Sequence, residues 1–253
     1  MTLVASRWLL VDTSARAAPK YASTTNNFQL TDDNMKDPRF AKLVVFVNSA
    51  VPLAVLAWDG YWHQLGADPI AFATRTTGML TLVFLMLSLV VTPARLITGW
   101  NWLSNFRRML GLYAFFYGLV HLTMYFAFDR AFNFSSTVAD VIKRPFILFG
   151  MTALLLMVPL AITSTNGMIK RLGAARWKRL HQLVYLSAIA GVLHYYILVK
   201  ADKRLPLMFA GALGILLAYR ILVPRLPFLR KSRKAPAVPA ARGRSPATIQ
   251  IAR

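Results

Sequence analysis

The sequence predicts an all-α membrane protein, a polytopic bundle of six transmembrane helices with both termini in the cytoplasm. Of its 253 residues, 57% are hydrophobic and 15% are charged, and the apolar residues are gathered into long runs. A helix needs roughly 20 residues to cross a hydrocarbon layer of about 30 Å, and the runs approach this length. Lys and Arg are concentrated between the runs, where they indicate the orientation of the bundle.

Six apolar runs are the predicted spans. They cover residues 41–58, 77–97, 109–128, 146–164, 180–199 and 206–224. The first run is the weakest because Asn48 and Pro52 interrupt it. An aromatic cluster that includes Trp58 closes this run, as is typical of a membrane interface.

The distribution of basic residues orients the spans. Counted with Lys42 and Arg95 at the ends of the adjoining runs, the N-terminal segment, the second and fourth loops and the C-terminal tail together carry 22 Lys and Arg, and the other three loops carry 7. Positively charged short loops are retained in the cytoplasm. Both termini are therefore expected there, and the third and fifth helices are expected to run outward.

The chain is expected to contain three segments. Residues 1–40 are polar and irregular, and we interpret them as disordered or as a start-site extension with Met35 as the true first residue. Residues 41–224 form the transmembrane domain. Residues 225–253 form a basic cytoplasmic tail rich in Pro and Ala, which is expected to be disordered and could lie on anionic lipid.

Composition excludes several classes of site. The net charge of +21 would suggest nucleic acid in a soluble protein, but here the basic residues flank apolar runs, so no nucleic-acid partner is expected. The absence of cysteine excludes disulfides, thiolate ligands, iron–sulfur clusters and covalently attached haem. The sequence shows no internal repeat and no glycine-rich nucleotide-binding motif. A redox centre would have to be held by histidine or by noncovalent contacts.

Three of the four histidines, His121, His181 and His194, fall on predicted spans. Ionisable side chains inside a bilayer are costly and face the bundle interior, so they are candidates for function. His121 lies about 12 residues into the third span and His194 about 14 residues into the fifth, which places both at nearly one level in the periplasmic half. Two neutral imidazoles at one depth can bind both axial positions of a haem iron.

Small residues precede both of these histidines at equal intervals. Ala114 and Gly118 stand seven and three residues before His121, and Ser187 and Gly191 stand at the same distances before His194. A porphyrin lying against a helix needs small residues on the face that it contacts. Close packing of helices through small residues is the alternative, but the matching intervals favour a haem site.

His181 lies at the cytoplasmic start of the fifth span, within RWKRLHQLVY. A second haem with two histidine ligands would need a histidine 14 residues before His121, where Arg107 stands, so a second such haem is poorly supported. Arg107 and Arg108 could bind a phosphate or a haem propionate through their guanidinium groups. The alternative is that both anchor the helix on the cytoplasmic side.

Four segments carry a resemblance to a known family: LGADPI (65–70), RRMLGLYAFFYGLVHLTMY (107–125), ITSTNGMIKRLGAARWKRLHQLVYL (162–186) and HYYILVK (194–200). They resemble the MsrQ family, formerly YedZ, the haem-binding membrane subunits of bacterial periplasmic methionine sulfoxide reductase systems. This family is part of the ferric-reductase-like transmembrane superfamily. The resemblance covers residues 42–224.

The resemblance implies a multi-pass protein of the bacterial inner membrane that carries haem b and FMN. It implies that electrons pass from the quinone pool or a cytoplasmic flavin reductase to a periplasmic molybdopterin-containing methionine sulfoxide reductase, which repairs oxidised envelope proteins. The family's histidines map onto His121, His181 and His194. Related oxidases and ferric reductases carry a second histidine near Arg107. Its absence here favours one haem with a flavin nearer the cytoplasm, contacted by His181 and Arg107, and no residue is expected to be catalytic.

Two other functions remain open. The chain could be a stand-alone haem b ferric or quinone reductase, although NAD(P)H could then act only through a separate protein. It could also be a transporter in which the histidines relay protons. The predicted spans contain no Asp or Glu, and a proton path normally needs a chain of such groups.

Overall fold

The structure, a computed structural model, describes residues 38–222, and the regular elements within this range are all helical. Nine α-helices follow one another in the described range: α1 (Pro38–Tyr61), α2 (Pro69–Thr98), α3 (Ser104–Met124), α4 (Phe134–Lys143), α5 (Pro145–Ile162), α6 (Asn166–Leu172), α7 (Ala174–Leu180), α8 (Leu183–Leu198) and α9 (Arg204–Leu222). A short 3₁₀ turn precedes α3 and a π-helical turn, Tyr125–Asp129, follows it. Apart from residues 38–40, the predicted N-terminal segment lies outside the described residues, as does the predicted tail.

Within residues 38–222, five helical segments are long and apolar enough to cross a membrane, which indicates a multi-pass membrane protein. They are Arg39–Tyr61, Pro69–Thr98, Asn101–Asp129, Pro145–Ile162 and Arg204–Leu222. These segments correspond to five of the six predicted spans. The remaining predicted span contains α8, which has 16 residues and is about 24 Å long at 1.5 Å per residue.

Helix α8 begins at Leu183, three residues later than predicted, because α7 ends immediately before it. The backbone amide of His181 donates a hydrogen bond to the carbonyl of Trp177, and that of Gln182 donates to Arg179. These bonds form a turn between two helices, where hydropathy alone predicted one continuous helix. His181 therefore lies in a turn between α7 and α8.

Helix α2 begins eight residues before its predicted span, and its capping residues explain why. The Asp68 carboxylate accepts a hydrogen bond from the amide of Ala71, and Pro69 occupies the first turn, where no amide donor is needed. The helix ends at Gly99, which has a φ of 76°, and the Gly99 amide donates to the carbonyl of Arg95. Both ends of α2 are thus fixed by local hydrogen bonds.

The described residues form two units, one up to Val51 and one from Pro52 onward. In the second unit, α2 packs along α3 and α5 packs along α8, while α3 also contacts α5 and α9 contacts α8 and α2. At the centre of the core, Tyr117 is fully buried and stacks on Phe84 with ring centroids 5.3 Å apart. This packing places the C-terminal parts of α3 and α8 near the N-terminal parts of α2 and α5.

Candidate functional site

His121 and His194 lie side by side, although they are 73 positions apart in the sequence. His121 is in the last turn of α3 and His194 is in the second half of α8. The centroids of their rings are 6.2 Å apart, and the ring planes are inclined at 76°. The structure therefore brings together the two histidines that the sequence placed at one depth.

Each imidazole is held by a backbone carbonyl of a neighbouring helix. Nδ1 of His121 lies 2.8 Å from the carbonyl oxygen of Thr74 on α2, and Nδ1 of His194 lies 2.5 Å from that of Phe146 on α5. A carbonyl can only accept a hydrogen bond, so Nδ1 must carry the proton and donate it in both rings. In the neutral imidazoles the lone pair is then on Nε2, which is the state that metal-binding histidines require.

A glycine lies against each imidazole, one helical turn after the residue whose carbonyl holds it. A Cβ atom on Gly78 would lie 3.0 Å from both Nδ1 and Cε1 of His121. A Cβ atom on Gly150 would lie 2.7 Å from Nδ1 of His194. Both rings therefore occupy space that any other residue at these two positions would fill.

This donor set fits a haem iron. The two rings have centroids 6.2 Å apart, and because each Nδ1 is engaged by a carbonyl, both Nε2 atoms are left to bind a metal. Two imidazoles can occupy the axial positions of an iron whose other ligands come from a porphyrin. In addition, the buried Thr74 hydroxyl has no hydrogen-bond partner within the described residues. An orphaned polar atom beside His121 is consistent with a further bound group at this site.

The small residues that precede the histidines pack against neighbouring helices. Ala114 and Ser187 are fully buried, and the Ser187 hydroxyl donates a 2.8 Å hydrogen bond to the carbonyl of Ala153 on α5. A Cβ on Gly118 would come within 2.9 Å of the Leu154 side chain. At these positions the structure shows close helix packing, which was the alternative reading of the matched intervals.

A second candidate site lies at the other end of α3, where the structure brings together Arg107 and His181. Both line a cavity of about 340 Å³. Three more cationic side chains line it, namely Arg108, Lys178 and Arg220. Arg107 is 14 residues before His121 on α3, which separates the two candidate sites by about 21 Å along the helix. The cavity is strongly basic and suits an anionic ligand.

His181 has one nitrogen fixed and the other available within this cavity. Its ring stacks on Trp177 with centroids 3.9 Å apart, and its Nδ1 lies 3.2 Å from the Trp177 carbonyl. Its Nε2 is buried and has no partner in the described part of the chain, and the same is true of the Tyr185 hydroxyl, which also lines the cavity. Burial lowers the pKa of His181, the Trp177 carbonyl opposes this, and the charge of Arg107 lowers the pKa further. The imidazole is therefore neutral near pH 7.

Several of the residues that form these sites were not found from the sequence. Thr74 and Phe146 act through backbone carbonyls, which leave no signal in the sequence. Gly78 and Gly150 did leave a signal, since they stand 43 and 44 residues before the two histidines on neighbouring helices. Arg220, on α9, reaches the cavity only through the packing of that helix.

Comparison with known proteins identifies the family. Residues 77–192 match the ferric reductase like transmembrane component family. The chain is 50% identical over 198 residues to the protein-methionine-sulfoxide reductase heme-binding subunit MsrQ of Rhodospirillum rubrum, an alignment that covers 78% of this chain and 94% of the relative. The MsrQ proteins of Herminiimonas arsenicoxydans and Caulobacter vibrioides are 47% and 44% identical, covering 71% and 70% of this chain and 84% and 85% of theirs. The resemblance seen in the sequence is thus confirmed, and the chain belongs to the MsrQ family.

Proposed function

We propose that this chain is the haem-binding membrane subunit of a methionine sulfoxide reductase, in which His121 and His194 would hold the iron of one haem b. The observation that carries the proposal is the imidazole pair, 6.2 Å apart, with each Nδ1 bound to a carbonyl. The name of the relatives, heme-binding subunit, supports haem binding by this chain. A haem held by these two histidines would supply reversible one-electron transfer.

The protein's own part at this site is to fix the two ligands before the haem binds. The carbonyls of Thr74 and Phe146 select the tautomer that leaves Nε2 free to coordinate. Gly78 and Gly150 let the rings approach the backbone of α2 and α5, which limits their movement. Ligands held in this way do not need to reorganise when the iron changes its charge.

We also propose that α8 is the sixth membrane crossing and that both termini are cytoplasmic, with 41–224 as the transmembrane domain. Val184, near the start of α8, lines the basic cavity, and His194, near its end, lies beside His121. Helix α8 therefore connects the two ends of the bundle despite its 16 residues. The excess of Lys and Arg on one side supports this orientation, in which the histidine pair would lie toward the periplasm of a bacterial inner membrane.

The basic cavity is the proposed site for FMN. Arg107, Arg108, Lys178 and Arg220 can bind a phosphate through charge-assisted hydrogen bonds. His181 Nε2 and the Tyr185 hydroxyl are buried and need partners, and a flavin ring offers both donors and acceptors. A haem propionate is the other anion that this cavity could take. Flavin released from the purified protein would distinguish the two.

We propose that the electron acceptor is a periplasmic molybdopterin-containing methionine sulfoxide reductase and that the donor is quinol or a cytoplasmic flavin reductase. The MsrQ relatives are named as subunits of a methionine sulfoxide reductase, which supports the first part. The basic cavity and the histidine pair lie at opposite ends of α3, which suits entry of electrons at one side of the membrane and exit at the other.

The ligand assignment is tested by purifying the protein and the variants His121→Ala and His194→Ala and recording oxidised and reduced spectra. The wild type is expected to show the bands of a low-spin b-type haem, and each variant is expected to lose them. His63→Ala is the matched control, because His63 is exposed in the loop between α1 and α2. Haem content that survives both substitutions would show that other residues bind the iron.

A stand-alone ferric or quinone reductase is a second candidate, favoured by the match to the ferric reductase like family. Reduced protein in liposomes would be mixed with methionine sulfoxide, with and without the catalytic subunit. Reoxidation of the haem only when that subunit is present supports the leading proposal. Equal reoxidation by ferric chelate alone would favour the second candidate.

A further inference from the structure

We propose that α4 lies on the surface of the lipid bilayer and inserts an apolar stripe into the lipid, at the end of the bundle that carries His121 and His194. The stripe consists of Phe134, Val138 and Ile142. Neither the family nor the electron-transfer proposal assigns a role to this helix.

The sequence of α4 separates an apolar face from a polar face. Phe134, Val138 and Ile142 follow at intervals of four residues, and 73%, 42% and 77% of their surfaces are exposed. Thr137 and Asp140, on the other side of the helix, are buried. Residues four apart lie on one face of an α-helix, so the three exposed side chains form a continuous stripe.

Buried polar contacts fix the rotation of α4 about its own axis. The Asp140 carboxylate accepts a 2.8 Å hydrogen bond from the Tyr125 hydroxyl in the turn after α3 and forms an ion pair with Arg130. Its other oxygen lies 3.5 Å from Nε of Arg144, the residue that precedes α5. The apolar stripe cannot turn inward without breaking these contacts, so it must be covered from outside.

The position of α4 in the chain makes lipid the occupant. One membrane-crossing segment ends at Asp129 and the next begins at Pro145, so both ends of α4 are tied to the same surface of the bilayer. A helix of ten residues is about 15 Å long and can lie along that surface. Phe128 and Phe132, which lie in the chain between the end of the α3 helix and α4, are also exposed. Apolar side chains are therefore exposed from the end of the crossing segment to the end of α4.

The charges beside the stripe fit the same occupant. Lys143 is exposed at the C-terminal end of α4, and the next residue, Arg144, is half-exposed although its Nε lies beside the buried Asp140. Long basic side chains beside an apolar stripe place their charge at the level of lipid phosphates while the stripe enters the acyl region. A docked protein is the other possible cover, and the experiment below includes that outcome.

The chain contains no cysteine, so single cysteines can be labelled in the full-length protein. The variants Phe134→Cys, Val138→Cys and Ile142→Cys would carry a nitroxide spin label in liposomes of phosphatidylcholine and phosphatidylglycerol. Lys143→Cys is the control, because Lys143 is exposed on another face of α4. Collisions with oxygen, which dissolves in lipid, and with a water-soluble nickel chelate report where each label lies.

Labels at 134, 138 and 142 are expected to collide several-fold more with oxygen relative to nickel than the label at 143. Equal exposure of all four labels to nickel would overturn the proposal. Nickel-accessible labels at the stripe that become immobile only when the purified catalytic subunit is added would also overturn it, in favour of a protein partner. Three variants on one stripe keep the test valid if one fails to fold, and none of the readings depends on haem.

Discussion

Replacing Gly150 with alanine is expected to displace the His194 imidazole and weaken haem binding. The added Cβ would lie 2.7 Å from Nδ1, 3.0 Å from Cε1 and 3.1 Å from Cγ of His194. Ordinary van der Waals contact begins at 3.4 Å, so the ring must move by about 0.7 Å. Because the atom nearest to the new methyl group is the one bonded to the Phe146 carbonyl, the movement also distorts that hydrogen bond.

The expected loss follows from three effects. Overpacking of a close contact costs about 1–3 kcal/mol, and a weakened hydrogen bond accounts for up to about 1 kcal/mol within that range. Alanine is favoured over glycine in a helix by about 1 kcal/mol, which offsets part of the cost. The net cost is up to about 2 kcal/mol. If this cost is borne by the position of the His194 imidazole, it corresponds to roughly a 30-fold loss of haem affinity.

The assay compares haem content after purification, and the rate of haem loss to an apoprotein acceptor, across a series of glycine variants. Gly78→Ala is expected to have a smaller effect, because its Cβ would lie 3.0 Å from the ring of His121. Gly211→Ala should be neutral, because nothing lies within 4 Å of its Cβ position. The new methyl group of Gly118→Ala would meet the flexible end of Leu154 at 2.9 Å and Thr81 at 3.5 Å, so this variant controls for helix packing without contact with a histidine. Identical haem retention in the variants at 150 and 211 would refute the reasoning.

Three further predictions concern ionisable side chains outside the histidine pair. Asp140→Asn removes the anion that binds two arginines and should cost about 1–3 kcal/mol of stability, measured as a lower midpoint of thermal unfolding. Since burial lowers the pKa of His181 below its unfolded value, a proton binds the unfolded chain more tightly, and stability is lost as pH falls below about 6.5. Thermal unfolding of His181→Gln should therefore depend less on pH between about pH 7 and pH 5.5 than that of the wild type. Arg107→Gln should lower flavin retention roughly tenfold or more, measured by fluorescence after denaturation, whereas Arg176→Gln, which is exposed and does not line the cavity, should not.

The helices could be predicted from the sequence because a helix that crosses a bilayer needs a long run of apolar residues. Five of the six predicted spans correspond to segments long and apolar enough to cross a membrane. The ends were less predictable, because they depend on local hydrogen bonds. Asp68 starts α2 eight residues early, and the turn at His181 separates α7 from α8 within one apolar run. Hydropathy is averaged over a window of many residues, so it cannot locate a helix end that depends on one hydrogen bond.

The candidate sites were predictable only where a side chain carries the chemistry. His121 and His194 could be paired from their depth, because the helical rise per residue is constant. The cavity residues Trp177 and Arg220 come from α7 and α9, and their approach to Arg107 depends on tertiary packing. A single sequence gives no information on the distance between residues of different helices. The same limit applies to Asp140, whose partners flank α4 on both sides.

The two halves of the histidine site use one arrangement, of which the sequence shows only the histidines and the glycines that precede them. In each half a carbonyl holds the imidazole, a glycine four residues later makes room for it, and the histidine follows 43 or 44 residues after that glycine. A metal held by both imidazoles would require each helix pair to fix the tautomer and to bring the ring close to a backbone. A carbonyl oxygen and a glycine meet this requirement, and neither constrains the surrounding residue types. A structural repeat can therefore exist where no sequence repeat is visible, and it is marked in the sequence only by its two histidines and by the two glycines at nearly equal intervals before them.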